Sequence, residues 1–352
     1  MTKWINAGLR GVATAVGIAT MMSGVAAQQA APAKYNITMA TSGDAMHWYP
    51  AYVARAAGLF AKEGVNIDWI DVGSGTKQVA ALVSGASPFT PLGLQTAFGA
   101  AAQGADIVAV SALFDRFALQ LVLNNAALEK SGIKPGMSTD EVVPRLKGMR
   151  IAITGVGSST DALLRSLLQA RGLNPDSSIT IQPLGSPPAI QAAFEKGVID
   201  GYILSAPFPE LVEMRNQGRI VIDPLKGGVK ELEDVPYSAM MTSRKVIQEQ
   251  PEMVAAVVRA LTRAMIYAKE NPVETQKLVK TLFPKLDPAI FEEAEPNYRA
   301  AAATTPVITR EQFDKMAAWM KLASKDAPSP KFEQVVDDRF AKAAAAELLK
   351  GK

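Results

Sequence analysis

The segment Gly157-Ser158-Ser159-Thr160 places a turn glycine before three hydroxyl side chains, between an apolar run and a leucine-rich pattern. Ser158 and Asp161 have the spacing of a capping box, which predicts that a helix begins here. Ligands of open α/β sheets bind beyond the carboxyl ends of strands, and free N–H groups at a helix start attract anions. We expect this segment to contact a small anionic or polar group, although the same residues would suffice to cap an ordinary crossover helix.

A dinucleotide does not fit this turn. Gly155 and Gly157 match two glycines of the motif G-x-G-x-x-G, but Thr160 stands where the third glycine is required. The next strand pattern ends in Gln182 and Pro183, so no acid is available for a ribose. A G-x-x-x-x-G-K-[ST] phosphate loop is also absent from the sequence. The turn is therefore predicted to hold something smaller than a nucleotide.

Two further loops lie between a strand pattern and a helical one. The first loop consists of Gly73, Ser74, Gly75 and Thr76. The second, "SGDAMHWY", contains the only histidine of the chain, His47, beside Trp48 and Tyr49. Aromatic rings commonly line small-molecule pockets, so we expect this loop to contact the ligand. An ordinary turn and a structural histidine remain the alternatives.

Catalytic and metal chemistry find little support in the residue types. The chain has no cysteine, which excludes disulfides, thiolate metal sites and thiol catalysis. It has no G-x-S-x-G elbow, and a Ser-His-acid arrangement would rest on His47 alone. We expect no enzyme activity, no metal and no cofactor. A secreted hydrolase of small esters or phosphoesters is the alternative, and a secreted module that contacts only other proteins is a third hypothesis.

The N-terminal residues and the charge balance indicate export. Residues 1–27 combine Lys3 and Arg10 with an apolar stretch from Gly11 to Met22 and small residues before the expected cleavage point. The stretch is shorter than the roughly 20 residues that span a bilayer, so we predict a cleaved signal peptide and a soluble periplasmic protein. The full chain has 37 basic and 34 acidic residues. Removing Lys3 and Arg10 leaves 35 against 34. No basic run is present to bind nucleic acid.

From Tyr35 onward, apolar runs typical of strands alternate with helical patterns, which predicts an α/β fold. The strand patterns are "YNITMAT", "VNIDWIDV", "DIVAVSALF", "FALQLVLNN", "MRIAIT", "SITIQPL", "DGYILS" and "RIVIDP". After Pro236 the spacing of apolar residues becomes helical. Two α/β lobes followed by a helical tail are predicted.

Three segments in order resemble the periplasmic substrate-binding proteins of bacterial ABC importers, in the group for nitrate, sulfonate, taurine and pyrimidine precursors. They are "GLFAKEGVNIDWIDVGSGTKQVAALVSG", "LKGMRIAITGVGSSTDALLRSLLQARGL" and "AIQAAFEKGVIDGYILSAPFPE". The resemblance implies a two-lobed, type II-like periplasmic binding protein, each lobe being a mostly parallel sheet flanked by helices. It implies a first lobe of residues 34–117 plus 224–352, a second lobe of 118–223, and hinge crossings near Phe117 and Asp223.

The resemblance also implies a function and a set of contacts. The protein would capture a small organic anion, a sulfonate or carboxylate with or without an aromatic body, by lobe closure. Its partners would be this small-molecule ligand and an inner-membrane ABC permease, with no nucleic acid, and the protein would be a monomer. No basic side chain is clearly placed to meet the anion, although Arg116 lies near the proposed hinge. The implied contacts are Ser42, Gly43, His47, Gly73, Ser74, Gly75, Thr76, Gln95, Ser158, Ser159, Thr160, Ser205 and Pro207.

Overall fold

A computed structural model describes residues 33–43, 45–323 and 330–350 of the chain. The predicted signal peptide, residues 1–27, lies outside the described residues. Within the described part, none of the helices combines the length and the apolar character that a bilayer crossing requires.

The described residues form ten strands and seventeen α-helices in the alternating order that the sequence predicts for much of its length. The strands are β1 (Tyr35–Thr41), β2 (Val65–Asp71), β3 (Thr90–Gly93), β4 (Val108–Phe114), β5 (Gln120–Asn124), β6 (Arg150–Ile153), β7 (Thr180–Pro183), β8 (Gly201–Leu204), β9 (Gly218–Ile222) and β10 (Ser238–Thr242). The helices are α1 (Tyr49–Ala56), α2 (Leu59–Lys62), α3 (Gly75–Val83), α4 (Leu94–Ala102), α5 (Asn125–Ser131), α6 (Thr139–Val142), α7 (Ser159–Gln169), α8 (Pro175–Ser178), α9 (Pro187–Glu195), α10 (Phe208–Met214), α11 (Arg244–Glu249), α12 (Pro251–Glu270), α13 (Pro272–Lys280), α14 (Pro288–Ala301), α15 (Arg310–Ala323), α16 (Phe332–Val335) and α17 (Arg339–Leu348).

The strands fall into two groups along the chain. A five-stranded sheet of order β7-β6-β8-β5-β9 uses only strands from residues 120–222, which we call lobe 2. The described residues from 33 to 114 and from 238 to 350, which we call lobe 1, contain the pair β1-β2 and the sheet β3-β10-β4. The two connections between the lobes are residues 115–119 and 223–237.

The α/β class and the two-lobed architecture are confirmed, but the sheets are mixed. Strands β1 and β2 pair in parallel, as do β6 with β7 and β6 with β8. Strand β5 runs antiparallel to β8 and β9, and β10 runs antiparallel to β3 and β4. Each of these two strands is the first after a connection between lobes, so it enters without the crossover helix that parallel pairing requires.

The helical tail returns to lobe 1. Helix α12 packs against α1 and α17, and the segment between α16 and α17 joins β4 through the hydrogen bond from Asp337 N to Ala109 O, 2.9 Å. Helix α15 packs against α7 of lobe 2. The tail therefore supports the first sheet and also contacts the helix that begins at the predicted ligand turn.

The core follows the period of two expected for strands. In β5, Leu121 and Leu123 belong to a large cluster that extends into lobe 1, whereas Val122 faces a separate cluster with Tyr202 and Phe194. Both faces of the lobe 2 sheet are thus covered.

Candidate functional site

A cavity of about 40 Å³ lies between the loops of the two lobes. By this measure a water molecule needs roughly 10–15 Å³, so the cavity suits a ligand of a few non-hydrogen atoms. The residues that line it come from the loops after β1 and β6, from α3, from the β3–α4 junction, from the end of β8, from the starts of α7, α9 and α10, and from both connections. They are Ser42, Ala45, His47, Trp48, Gly75, Gln78, Leu92, Gly93, Leu119, Thr154, Ser158, Ser159, Thr160, Pro187, Leu204, Ser205, Phe208 and Tyr237.

The start of α7 is a capped helix whose hydroxyl groups are clustered. Ser158 is the N-cap and accepts a hydrogen bond from Asp161 N at 3.4 Å, while Gly157 N donates to the Asp161 carboxylate at 2.8 Å. The hydroxyls of Thr154, Ser158 and Thr160 lie within 2.8–3.2 Å of one another. The capping role predicted for Ser158 is therefore real, and the residues also line the cavity.

Ser159 belongs to this turn but makes its contacts across the cleft. Its Oγ lies 3.3 Å from Oγ1 of Thr96 in lobe 1, and it also bonds the phenol of Tyr237. Burial raises the pKa of Tyr237, so its hydroxyl stays protonated and can donate. The helix start of lobe 2 is thus joined to lobe 1 at the wall of the cavity.

His47 is a buried neutral imidazole. Burial lowers its pKa to about 3, so the ring carries no charge at neutral pH. Its Nδ1 lies 2.7 Å from Oγ of Ser205, at the end of β8 in lobe 2. The ring also packs edge-on against Trp48 and Tyr237, with centroids 3.8 and 5.0 Å apart. His47 therefore links the lobes by its hydrogen bond to Ser205, while its aromatic neighbours belong to lobe 1 and to the second connection.

This Ser-His pair does not have the features of a hydrolytic triad. A general base works best with a pKa near the operating pH, and a pKa of about 3 is far below neutrality. Across residues 33–43, 45–323 and 330–350, no carboxylate is hydrogen-bonded to the His47 ring. The pair is better suited to holding the two loops together than to activating Ser205.

Two glycines of lobe 1 allow a close approach to lobe 2, one against a backbone carbonyl and the other against a proline ring. Gly73 has φ +86°, and a Cβ added there would lie 2.9 Å from the carbonyl oxygen of Gly185. Gly43 has φ +81°, and its added Cβ would lie 3.2 Å from Cγ of Pro187. Both glycine N–H groups donate to the same oxygen of Asp71, each at 2.8 Å. The carboxylate at the end of β2 therefore fixes both contact points.

A tyrosine from the tail supports the loop after β8. Tyr298 of α14 accepts a hydrogen bond from Ala206 N at 2.7 Å and donates to Ala118 O at 3.1 Å. Ala118 belongs to the first connection between the lobes, residues 115–119. Its neighbour Phe117 packs against Tyr237 and Trp319, with ring centroids 4.7 and 5.0 Å apart. The loop that carries Ser205 is thereby fastened to the point where the chain crosses between lobes.

The predicted contacts divide into two groups in the structure. Those that line the cavity are Ser42, His47, Trp48, Gly75, Ser158, Ser159, Thr160 and Ser205. Those that do not line it are Gly43, Gly73, Ser74, Thr76, Gln95, Gly157 and Pro207. Most of this second group still supports the site: Ser74 caps α3, Gly43 and Gly73 meet lobe 2, and Pro207 follows a cis peptide bond beside the lining Ser205.

Thr76, Gln95 and Gly157 line a neighbouring cavity of about 450 Å³. It also lies between the lobes, lined by α3, α4 and α15 from lobe 1 and by the start of α7 from lobe 2. Arg116 lines neither cavity and is exposed. The anion-facing role considered for Arg116 therefore receives no support from its position.

Sequence reasoning missed several lining residues. The clearest are Gln78, one turn into α3, and Tyr237, immediately before β10. Gln78 sits in the segment that follows the Gly73–Thr76 turn, so its polar type inside an apolar helical stripe was an available signal. Tyr237 is brought in by the second connection, and nothing in its neighbouring residues indicates this.

The chemical character of the cavity is neutral and donor-rich. Among the lining residues that the structure describes, none is Asp, Glu, Lys or Arg. The described residues also hold no group of three or more His, Cys, Asp or Glu arranged to bind a metal ion. The arrangement can surround a small polar group with hydroxyl and N–H donors on mostly buried side chains, where such donors are effective.

Comparison with known proteins places the sequence in a family of similar sequences. The sequence model described as the NMT1-like family matches residues 29–283. The taurine-binding periplasmic protein of Escherichia coli (strain K12) is 32% identical over 239 residues, covering 67% of this chain and 68% of that protein. A putative aliphatic sulfonates-binding protein of Bacillus subtilis (strain 168) is 24% identical over 353 residues, covering 97% of this chain and 98% of that protein.

Solved structures show the same fold. The alkanesulfonate-binding protein SsuA from Xanthomonas axonopodis pv. citri, bound to MOPS, superposes with a TM-score of 0.67 at 22% identity, covering 89% of this chain and 98% of that chain. The desulfurization enzyme DSZB superposes with a TM-score of 0.60 at 13% identity, covering 89% of this chain and 99% of that chain. The fold is therefore shared by binding proteins and by an enzyme.

Proposed function

Because the chain belongs to the NMT1-like family, we propose that it is the substrate-binding component of an ABC importer that captures a small organic anion by lobe closure. The observation that carries the proposal is the cavity between the lobes, lined from both sides by strand-end loops and by the start of α7. Taurine and aliphatic sulfonates are named as ligands of two relatives, which supports the same class of ligand here.

The anion is held by neutral groups in this proposal. Its sulfonate or carboxylate head lies against Ser158, Ser159 and Thr160, where the helix dipole favours negative charge. Trp48 Nε1 contributes a further donor, since this buried N–H has no partner among the described residues. Because His47 is neutral, no cation in the site faces the anion, and the affinity depends on short hydrogen bonds from buried neutral donors.

The proposal includes location, partner and boundaries. Residues 1–27 are a cleaved signal peptide, the mature protein is periplasmic and monomeric, and a permease in the inner membrane receives the closed form. The proposed domain boundaries divide the two connections between the lobes, so that one domain is residues 34–117 plus 224–352 and the other is residues 118–223. Three features support a hinge at the crossings: the two connections, the packing of Phe117, and the Tyr298 bridge.

Thermal shift with a panel of sulfonates, carboxylates and inorganic anions tests this function. A ligand that binds only the folded state raises the Tm, by an amount equivalent to roughly 2.7 kcal/mol at a hundredfold excess over Kd. We expect at least one organic anion in the panel to raise the Tm. The absence of any shift across the panel would refute the proposal.

A hydrolase is the competing function, because His47 and Ser205 form a close Ser-His pair and the enzyme DSZB has the same fold. Incubation with p-nitrophenyl acetate and p-nitrophenyl phosphate distinguishes the two functions. We expect no turnover above that of the Ser205→Ala variant. Turnover that depends on Ser205 would replace the binding function by a hydrolytic one.

A further inference from the structure

The side-chain amide of Gln78 is locked in one orientation. Gln78 is fully buried on α3, and its Nε2 lies 3.2 Å from Ala40 O, 2.6 Å from Pro91 O and 2.8 Å from Thr90 Oγ1. Two of these neighbours are backbone carbonyls, which only accept hydrogen bonds. Turning the amide over would place oxygen against oxygen, so the N–H₂ end stays where it is.

The other end of this amide has no partner among the described residues. Gln78 Oε1 is buried and unbonded, although Gln78 lines the cavity. Ala40, Thr90 and Pro91, which hold the nitrogen, do not line it. The oxygen is therefore the part of the amide turned toward the cavity. A buried acceptor without a donor is unfavourable, and a ligand that supplies a donor removes this penalty.

Trp48 presents the opposite feature in the same cavity. The residue is 2% exposed, and its Nε1–H is buried with no acceptor among the described residues. One wall of the cavity thus carries an unpaired donor and another an unpaired acceptor. A ligand that satisfies both has an accepting group and a donating group on the same small molecule.

We propose that Gln78 Oε1 is a specificity determinant that selects small organic anions bearing a neutral hydrogen-bond donor, such as a hydroxyl group, beside the anionic head. This inference rests on the proposed function. The donor is a hydroxyl rather than an ammonium group because no described lining residue is a carboxylate that could balance a buried positive charge. The anionic head accepts from Trp48 Nε1 and from the hydroxyls at the start of α7.

Two matched ligand series test the inference by calorimetry on the wild-type protein. One series is ethanesulfonate, 2-hydroxyethanesulfonate and 2-aminoethanesulfonate, and the other is acetate, glycolate and glycine. Within the series whose head the protein accepts, we expect the hydroxy compound to bind on the order of tenfold more tightly than the unsubstituted one. We expect it also to bind more tightly than the amino compound.

Two variants distinguish the recognition of the ligand's hydroxyl group from the binding of its anionic head. Gln78→Met removes the acceptor at similar volume, and the preference for the hydroxy compound is expected to fall below about twofold. Trp48→Phe removes the N–H, so it should weaken all members of a series while keeping their ratio. Circular dichroism checks the fold of both variants, and the wild-type series decides the matter even if Gln78→Met does not fold.

The outcomes are distinguishable. Binding of the anions without a hydroxyl preference, or with the amino compound bound most tightly, overturns the role of Gln78 and leaves the proposed function in place. A hydroxyl preference that survives in folded Gln78→Met also overturns it. Failure of both series and of the wider anion panel to bind refutes the proposed function, and the inference falls with it.

Discussion

Glu210 gives the chain a built-in dependence of stability on pH. It lies on α10 beside the second connection, where Gln120 Nε2 donates both to Glu210 Oε1 at 3.2 Å and to Asp223 Oδ2 at 3.0 Å. Its Oε2 is buried without a partner among the described residues. Burial, assisted by the charges of Asp223 and Glu213, raises the pKa of Glu210 to about 7.

The raised pKa of Glu210 determines whether stability rises or falls with pH. The folded protein holds the Glu210 proton more tightly than the unfolded chain, where the pKa has its ordinary value of 4.5. The stabilising contribution is therefore complete below pH 4.5 and is lost as the pH rises through 7. The difference between the two pKa values corresponds to about 3 kcal/mol of unfolding free energy.

The substitution Glu210→Gln removes the titration while keeping an oxygen that can accept from Gln120. We expect the variant to be more stable than the wild-type protein at pH 8 by up to about 3 kcal/mol and equal to it near pH 4.5. Urea unfolding at intervals between pH 4.5 and 8 measures this difference. Glu233→Gln, at an exposed position, is the control. A variant whose pH profile parallels the wild-type profile would show that the reasoning about Glu210 is wrong.

Three further changes test the site and its support. Replacing Ser158 and Ser159 together by Ala should weaken any bound anion by roughly 1–3 kcal/mol in calorimetry, and an unchanged affinity would reduce the segment to a helix cap. Gly73→Ala should lower the Tm and the ligand affinity more than Gly85→Ala, because both glycines have φ near +80° but only Gly73 faces a carbonyl oxygen across the cleft. Equal effects would show that the close approach of Gly73 to Gly185 contributes to neither. Glu295→Ala should cost roughly 3–5 kcal/mol in urea unfolding, because this fully buried carboxylate accepts from Tyr49, Gln276 and Arg299, and a loss below 1 kcal/mol would contradict that role.

The elements that could be predicted are those with a clear period or a local signal. Examples are the strands β1, β4 and β6 and the helix α7. Their apolar residues recur at the spacing that burying one or both faces of the element requires, so the sequence shows the pattern. Strands β3 and β10 were missed. They are short and buried at every position, and β3 contains Pro91, so neither shows an alternating pattern.

The candidate site likewise contains some features that could be predicted from local sequence and others that depend on distant contacts. The Ser158 cap was predictable because capping depends on residues three apart, and the structure contains it. The partner of His47 was not predictable, because Ser205 lies 158 positions away and reaches it only through the crossing of the chain between lobes. The orphaned oxygen of Gln78 depends on three acceptors from two other segments, so only the assembled fold reveals it.

The position of Tyr298 affects how segments could be exchanged between this chain and its relatives. The family match ends at residue 283, yet the phenol at position 298 bonds both the loop after β8 and the first connection. A chimaera that inherits residues 29–283 from this chain and its tail from a relative without this phenol would leave Ala206 N and Ala118 O unpaired. The position of the loop after β8 thus depends on both the shared segment and the tail, and grafting experiments should exchange the two as one piece.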